Sequence, residues 1–227
     1  MTGGYPPPGM LGPRAIAWWS LRTKTDGVTV EGLDRVPRSG PVLLAVRHYH
    51  HLLDGAVLVR YLARPVHIVV GLDWIADAGR RRWMERACAW ARYPVILRGA
   101  TAGARGGYAA SEVRRYLRSG LHDAVSLLRD GRVVLVFPEG YPVIDPDASE
   151  ATPRARDADG FLPFAAGFRT IAGAAERAGA RGVAIVPVGL RYEARGARWR
   201  IAARVGEPLA ADADVATVAR AVRELSR

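Results

Sequence analysis

The chain has 227 residues, 49% of them apolar, enough to bury a sizeable core and to exclude wholesale disorder. Its 33 basic and 22 acidic residues leave a formal charge of +11, which points to an anionic partner: nucleic acid, lipid headgroups or a phosphorylated substrate. A single cysteine, Cys88, excludes an intrachain disulfide, a Cys-x-x-Cys redox pair and zinc sites built from several cysteines.

Lys24 is the only lysine. With the abundance of Ala and Gly, this reads as a compositional bias that explains the choice of arginine but not the sign of the charge. Met1 to Pro13 is rich in Gly and Pro and lacks the basic-then-apolar pattern of a secretory signal. No run of about 18 apolar residues occurs, so no transmembrane helix is expected. Arg14 to Leu21 (RAIAWWSL) is short, aromatic and flanked by Arg14 and Arg22. It suits a helix lying in a membrane interface, with Trp18 and Trp19 at headgroup level, or a first helix that packs both tryptophans on the core.

Val28 to Val30 reads as a short strand and Val42 to Val46 (VLLAV) as a buried one. Leu52 to Ala63 has helical spacing. Val66 to Val70 (VHIVV) is a further β-branched run. Asp73 to Ala91 reads as a helix carrying Arg80, Arg81, Arg82 and Arg86, and Pro94 to Leu97 as a short strand. Glu112 to Arg129 is an amphipathic helix ended by Asp130-Gly131. Val133 to Phe137 (VVLVF) is the clearest buried strand. A long polar loop, Pro138 to Pro163, follows, and loops of that length tend to be functional. Ala165 to Ala178 is helical, Val183 to Gly189 (VAIVPVG) is a buried strand, Trp199 to Ala203 pairs beside it, and Asp214 to Leu225 closes the chain as a helix. Apolar strands alternating with helices imply a single α/β domain.

Three of the five histidines stand together in Arg47-His48-Tyr49-His50-His51-Leu52-Leu53-Asp54, directly after the strand VLLAV. Ligands bind at the carboxyl ends of strands in open α/β sheets. A histidine beside a carboxylate is the minimal general-base pair. His48, His50 and Asp54 also suit a metal-dependent hydrolase, for which His67 and His122 are the remaining histidine ligands. A serine nucleophile lacks its Gly-x-Ser-x-Gly anchor. The glycine-rich stretch Gly103-Ala104-Arg105-Gly106-Gly107 lacks the Lys-Ser/Thr pair of a phosphate loop. Phe137-Pro138-Glu139-Gly140 follows another buried strand, where Pro138 stops the ladder and Gly140 permits a tight turn. Arg98 ends a strand and has a planar fork suited to phosphate. The arginines are scattered among helices with no basic stripe bearing aromatic platforms, so nucleic acid is not expected as a partner.

Taken in order, these segments resemble the glycerolipid acyltransferase family, the PlsC-type 1-acylglycerol-3-phosphate acyltransferases. The family pattern is a His and an Asp separated by four residues, an Arg after a short apolar run, Phe-Pro-Glu-Gly, and an apolar strand containing Val-Pro. Here the matches are His48 to Asp54, Tyr93-Pro94-Val95-Ile96-Leu97-Arg98, Phe137-Pro138-Glu139-Gly140 and Ile185-Val186-Pro187-Val188, within residues 28–207. Two departures stand out. Five residues separate His48 from Asp54, one more than the pattern, and Tyr49 occupies the family's distance. A one-residue insertion that keeps His48 as base is the expected accommodation, with His50, four before Asp54, as the other candidate. The family's Thr-Arg-Ser after Phe-Pro-Glu-Gly is replaced by Tyr141-Pro142-Val143, which removes a basic residue near the acceptor pocket.

The resemblance implies transfer of a fatty acyl group from a thioester, acyl-CoA or acyl carrier protein, to the hydroxyl of a lysophospholipid. A non-phosphorylated lipid or glycolipid alcohol is the other acceptor class. His48 would be the base, Asp54 its orienting carboxylate and Arg98 the phosphate ligand. Glu139 and Gly140 would shape the acceptor site, with Pro187 near it. No metal or cofactor is needed, since a thioester is already activated. The expected architecture is a mixed, largely parallel central sheet covered by helices, with residues 1–27 as tail and amphipathic membrane-surface segment and 28–227 as acyltransferase domain. The protein would sit in the cytoplasm, peripherally on the inner face of the cell membrane, with the anionic lipid surface as partner of the positive charge.

Overall fold

The computed structural model describes residues 8–75, 77–98, 108–144 and 156–227, with side chains from Leu11 onward. The glycine-rich stretch Gly103 to Gly107 and the middle of the long loop lie outside the described residues. α1 (Pro8–Lys24) runs directly into β1 (Thr25–Glu31). β2 (Val42–Val46) is buried at every position. α2 (Leu53–Tyr61) leads to β3 (Val66–Ile68) and the two-residue β4 (Val70–Gly71). α3 (Ala78–Ala91) starts on Asp77, whose carboxylate accepts the Arg80 N–H at 2.7 Å, and is followed by β5 (Val95–Ile96). α4 (Ala110–Arg129) precedes β6 (Val133–Val136). α5 (Gly167–Arg177), the hairpin of β7 (Ala184–Arg195) and β8 (Arg198–Val205), and α6 (Val215–Leu225) complete the chain.

Among the described residues the main sheet has the order β1-β8-β7-β2-β6-β3. Only β7 and β8 run antiparallel; every other neighbouring pair is parallel. The mixed, largely parallel sheet expected from the sequence is therefore present. Period-two alternation sorts its side chains between two layers. Val42, Leu44 and Val46 of β2 join the cluster made with α1 and α2, through Ala17, Leu21, Leu53 and Val57. Leu43 and Ala45 join the opposite cluster with α4, α5 and α6, through Leu128, Phe168 and Val222. Each such Leu or Val, fully buried, is worth about 1.5–3 kcal/mol.

Several elements differ from their sequence reading. The run Val66 to Val70 is split between two sheets. Val69 still donates to the Leu135 carbonyl at 2.9 Å, but β6 ends at Val136, just before Phe137 and Pro138, so no partner continues. The chain then turns to β5, where the Pro94 carbonyl accepts the Val70 N–H at 2.8 Å. The strand read at Pro94 to Leu97 thus lies in a separate two-stranded sheet. The helix read from Asp73 starts at Ala78, and a turn in which the Trp74 indole donates to the Gly71 carbonyl at 2.9 Å precedes it. The β7–β8 hairpin is much longer than Val183 to Gly189 and Trp199 to Ala203. Its outer residues are paired along a ladder from Val188↔Val205 to Arg195↔Arg198, so cross-strand pairing holds polar residues that show no apolar run.

Candidate active site

Parallel pairing of β2 with β6, with Ala45 opposite Val136, sends the segments after both strands out of the same carboxyl edge. Arg47 to Asp54 and Phe137 to Gly140 are consequently neighbours, although about ninety residues apart in the chain (His48 to Glu139, 91).

His48 Nδ1 lies 3.0 Å from Asp54 Oδ2, and Asp54 is fully buried. The same oxygen accepts the backbone N–H groups of Tyr49 at 2.7 Å and His50 at 2.9 Å. The loop wraps around the carboxylate. The His48 ring stacks on Phe137, centroids 3.9 Å apart and planes 11° off parallel. With Nδ1 held as donor to Asp54, Nε2 is the nitrogen left to accept a proton. His50 is used differently. Its Nδ1 accepts the Leu52 N–H at 3.2 Å and faces the Leu53 N–H at 3.5 Å, at the start of α2. Burial lowers the pKa of His50 to about 4, with the neighbouring His51 adding to the effect, so its ring is neutral near pH 7. Of the two candidate bases, only His48 is bonded through its ring to the carboxylate.

Glu139 is buried, and it holds backbone. Oε1 accepts the His48 N–H at 2.9 Å, and Oε2 accepts the Leu162 N–H at 3.0 Å and faces Arg156 Nη1 at 3.5 Å. Burial raises the Glu139 pKa, opposed by those two N–H groups and the charge of Arg47. Arg156 also donates to the carbonyls of Gly160, Tyr141 and Pro142. Arg47 donates to the Asp159 carbonyl at 3.1 Å and lies over the Phe161 ring at 4.0 Å. The far end of the long loop is thereby clamped to the ends of β2 and β6.

Arg98 reaches the same edge from β5. Its Nε lies 2.8 Å and Nη2 2.7 Å from Asp73 Oδ2, and Nη1 donates to the Gly140 carbonyl. Its guanidinium lies 3.7 Å from the centre of the Tyr141 ring. Gly140 has φ +74° and donates to the Phe137 carbonyl at 2.9 Å, the tight turn for which glycine is suited. Pro187 stands apart. It is buried in β7, opposite Ala45, and its carbonyl accepts the Gly206 N–H at 2.9 Å where the β7–β8 ladder ends. A missing N–H costs nothing in the ladder there. Pro187 does not line the cavity described next.

A cavity of about 800 Å³ opens beside His48. Its walls are mostly apolar, from α1, α2, α3, α5 and the strand ends, with His48, Arg98, Glu139, Gly140 and Tyr141 at one end. Ile16, Trp83 and Trp90 line it and are also exposed. α1 crosses α3 so closely that a Cβ at Gly12 would lie 1.8 Å from the Trp90 ring. Trp18 is 51% and Trp19 64% exposed, and the residues that α1 packs inward are Pro13, Ala17, Ser20 and Leu21. The reading in which both tryptophans pack on the core is thus not the one realised. No helix among the described residues is long and apolar enough to cross a membrane.

Among the described residues, no group of three or more His, Cys, Asp or Glu is arranged to hold a metal ion. His67 is buried and donates to the Arg92 carbonyl at 3.2 Å, and His122 is exposed on α4. Three site residues have no sequence signal. Asp73 reads as part of a helix, Arg156 as one arginine of a polar loop, and Tyr192 as lying beyond the last apolar strand. Tyr192 donates its hydroxyl to Asp54 Oδ1 at 2.5 Å.

The family model for Acyltransferase matches residues 27–191. The fold is similar to that of the 1-acyl-sn-glycerophosphate (LPA) acyltransferase PlsC from Thermotoga maritima, with a TM-score of 0.62 and 15% identity over 95% of this chain and 77% of that one. No curated protein matches the chain.

Proposed function

This chain belongs to the acyltransferase family, and we propose that it moves a fatty acyl group from acyl-CoA or acyl carrier protein to a hydroxyl of a lysophospholipid such as 1-acylglycerol-3-phosphate. The observation that carries this reading is the His48–Asp54 pair, with its carboxylate fully buried, at the polar end of an apolar cavity. His48 Nε2 takes the acceptor's hydroxyl proton as that oxygen attacks the thioester carbonyl carbon. The C–S bond then breaks, and the proton passes from His48 to the departing thiolate. Asp54 holds the tautomer and stabilises the imidazolium. The apolar walls take the acyl chain, and burial of the chain supplies binding and orientation.

Arg98 is the acceptor's phosphate ligand in this reading, and Gly140 positions it. One observation favours the second acceptor class, a non-phosphorylated lipid alcohol. Arg98 is bonded to Asp73 and the Gly140 carbonyl, and Pro142 stands where the family carries a basic residue. The test is a panel of lysophosphatidate, other lysophospholipids and neutral lipid alcohols with one acyl thioester, read by mass spectrometry. Acylated lysophospholipid is the expected product, with Arg98→Ala raising KM for phosphorylated acceptors. Products from neutral alcohols alone would establish the second class. No product from any acceptor would sink the acyl-transfer reading.

We also propose that residues 1–27 form the membrane-docking segment of a 28–227 catalytic domain, attached peripherally to the inner face of the cell membrane. Support comes from exposed Trp18 and Trp19, from Trp83 and Trp90 at the cavity mouth, and from exposed Arg80, Arg82 and Arg86 on α3. Aromatic rings suit the headgroup level, and each basic residue near an anionic surface is worth about 1 kcal/mol. In vesicle co-sedimentation at low salt, binding is expected with phosphatidylserine and not with phosphatidylcholine alone. A Trp18→Ala/Trp19→Ala protein is expected to bind roughly tenfold more weakly. Indifference to anionic vesicles would return the arginine surplus to compositional bias.

A further inference from the structure

We propose that Tyr192 is a positioning residue for the His48–Asp54 pair, and that with Tyr49 it accommodates the lengthened loop between them. The proposal rests on the reading of His48 as base. Asp54 Oδ2 serves three donors: the His48 ring and the N–H groups of Tyr49 and His50. Oδ1 is bonded by the Tyr192 hydroxyl at 2.5 Å, from 138 residues away in the chain. An aspartate's terminal torsion is broad and roughly two-fold. A donor on each oxygen fixes the plane of the carboxylate, and so the direction in which Oδ2 meets the imidazole. An unpaired Oδ1 at a fully buried site would also be unfavourable.

Tyr192 is suited to remain a donor. Its burial, reinforced by the charge of Asp54, pushes its pKa well above the ordinary tyrosine value. The ring has a second task. Tyr49 lies in the lengthened His48-to-Asp54 loop, and its ring stacks on Tyr192 with centroids 4.5 Å apart and planes 9° off parallel. Trp199, from the adjacent β8, meets the Tyr192 ring edge-on at 5.8 Å. The long β7–β8 hairpin thus carries a shelf on which the lengthened loop rests. The shelf's hydroxyl reaches through to the carboxylate.

Tyr192→Phe removes the hydroxyl and keeps the stack. The expected result is a roughly tenfold fall in kcat, with KM for donor and acceptor within about twofold of wild type and an unchanged fraction folded at the assay temperature. In an Asp54→Ala background the same change is expected to cost no further activity, because Tyr192 acts through Asp54. Tyr192→Leu, which also loses the stack, is expected to fall further than the phenylalanine variant. Wild-type kcat in Tyr192→Phe overturns the proposal. So does an equal loss in the Asp54→Ala background, or a loss that only tracks unfolding in thermal melts. Undiminished transfer by His48→Ala would instead overturn the reading beneath it, and the proposal with it.

Discussion

Replacing His48 with alanine is expected to lower kcat by roughly 10²–10⁴-fold, the range that a positioned general base contributes, while the protein stays folded. The second half of that expectation follows from the hydrogen bonds around Asp54. Without the imidazole, the buried carboxylate retains the N–H groups of Tyr49 and His50 and the Tyr192 hydroxyl. No buried charge is stranded. The change removes the stack on Phe137 and one bond, and the strands of the core are untouched. His50→Ala is the informative partner variant. It removes the acceptor for the Leu52 N–H at the start of α2 and is expected to cost about 1 kcal/mol of stability, as loss of a helix cap does, with most of the turnover kept. Thioester consumption and thermal melts of the two variants separate the roles. If His50→Ala lost turnover and His48→Ala kept it, the base would be His50.

The largest effect on stability is expected from Glu139→Ala. The carboxylate is buried between Arg47 and Arg156 and accepts two buried N–H groups. Removing one partner of a buried charged cluster costs about 3–5 kcal/mol, because the remaining charges lose their compensation. The denaturant midpoint should fall accordingly. Activity should fall with it, since the His48 N–H loses the acceptor that ties it to the end of β6. Glu139→Gln keeps an acceptor oxygen for one of the two N–H groups and is expected to lie between the extremes. The family resemblance implies a different part for Glu139, shaping the acceptor site. A Glu139→Ala protein with wild-type stability and a raised KM for acceptor alone would favour that part.

Much of the fold is legible because its causes are local. Val42 to Val46 and Val133 to Val136 are short, wholly apolar runs, and both are strands buried at every position. Asp214, whose carboxylate accepts the Thr217 N–H at 2.7 Å, marks the start of α6 as a capping residue does. The run Val66 to Val70 fails as a single strand because its ending depends on β6 stopping before Pro138, about seventy residues later. Asp73 is hidden for a related reason. The spacing around it suits a helix, and only the pairing of β4 with β5 brings it to Arg98.

The candidate site divides in the same way. Sequence alone determined which chemistry is assembled. A His–Asp segment after one buried strand, Phe-Pro-Glu-Gly after another, and an arginine after a short apolar run are local patterns, and their order carries the family resemblance. Sequence alone left His48 and His50 as rival bases, since both lie within reach of Asp54 along the chain. In the tertiary structure the wrap of the loop gives the two rings different partners. That wrap aims one ring at the carboxylate and turns the other to the backbone N–H groups of α2. The tertiary structure decided that Glu139 holds backbone, and that Asp54 is completed by Tyr192 from the far end of the hairpin. Contacts of that kind depend on strand pairing between distant segments, which leaves no period or spacing in the chain to read.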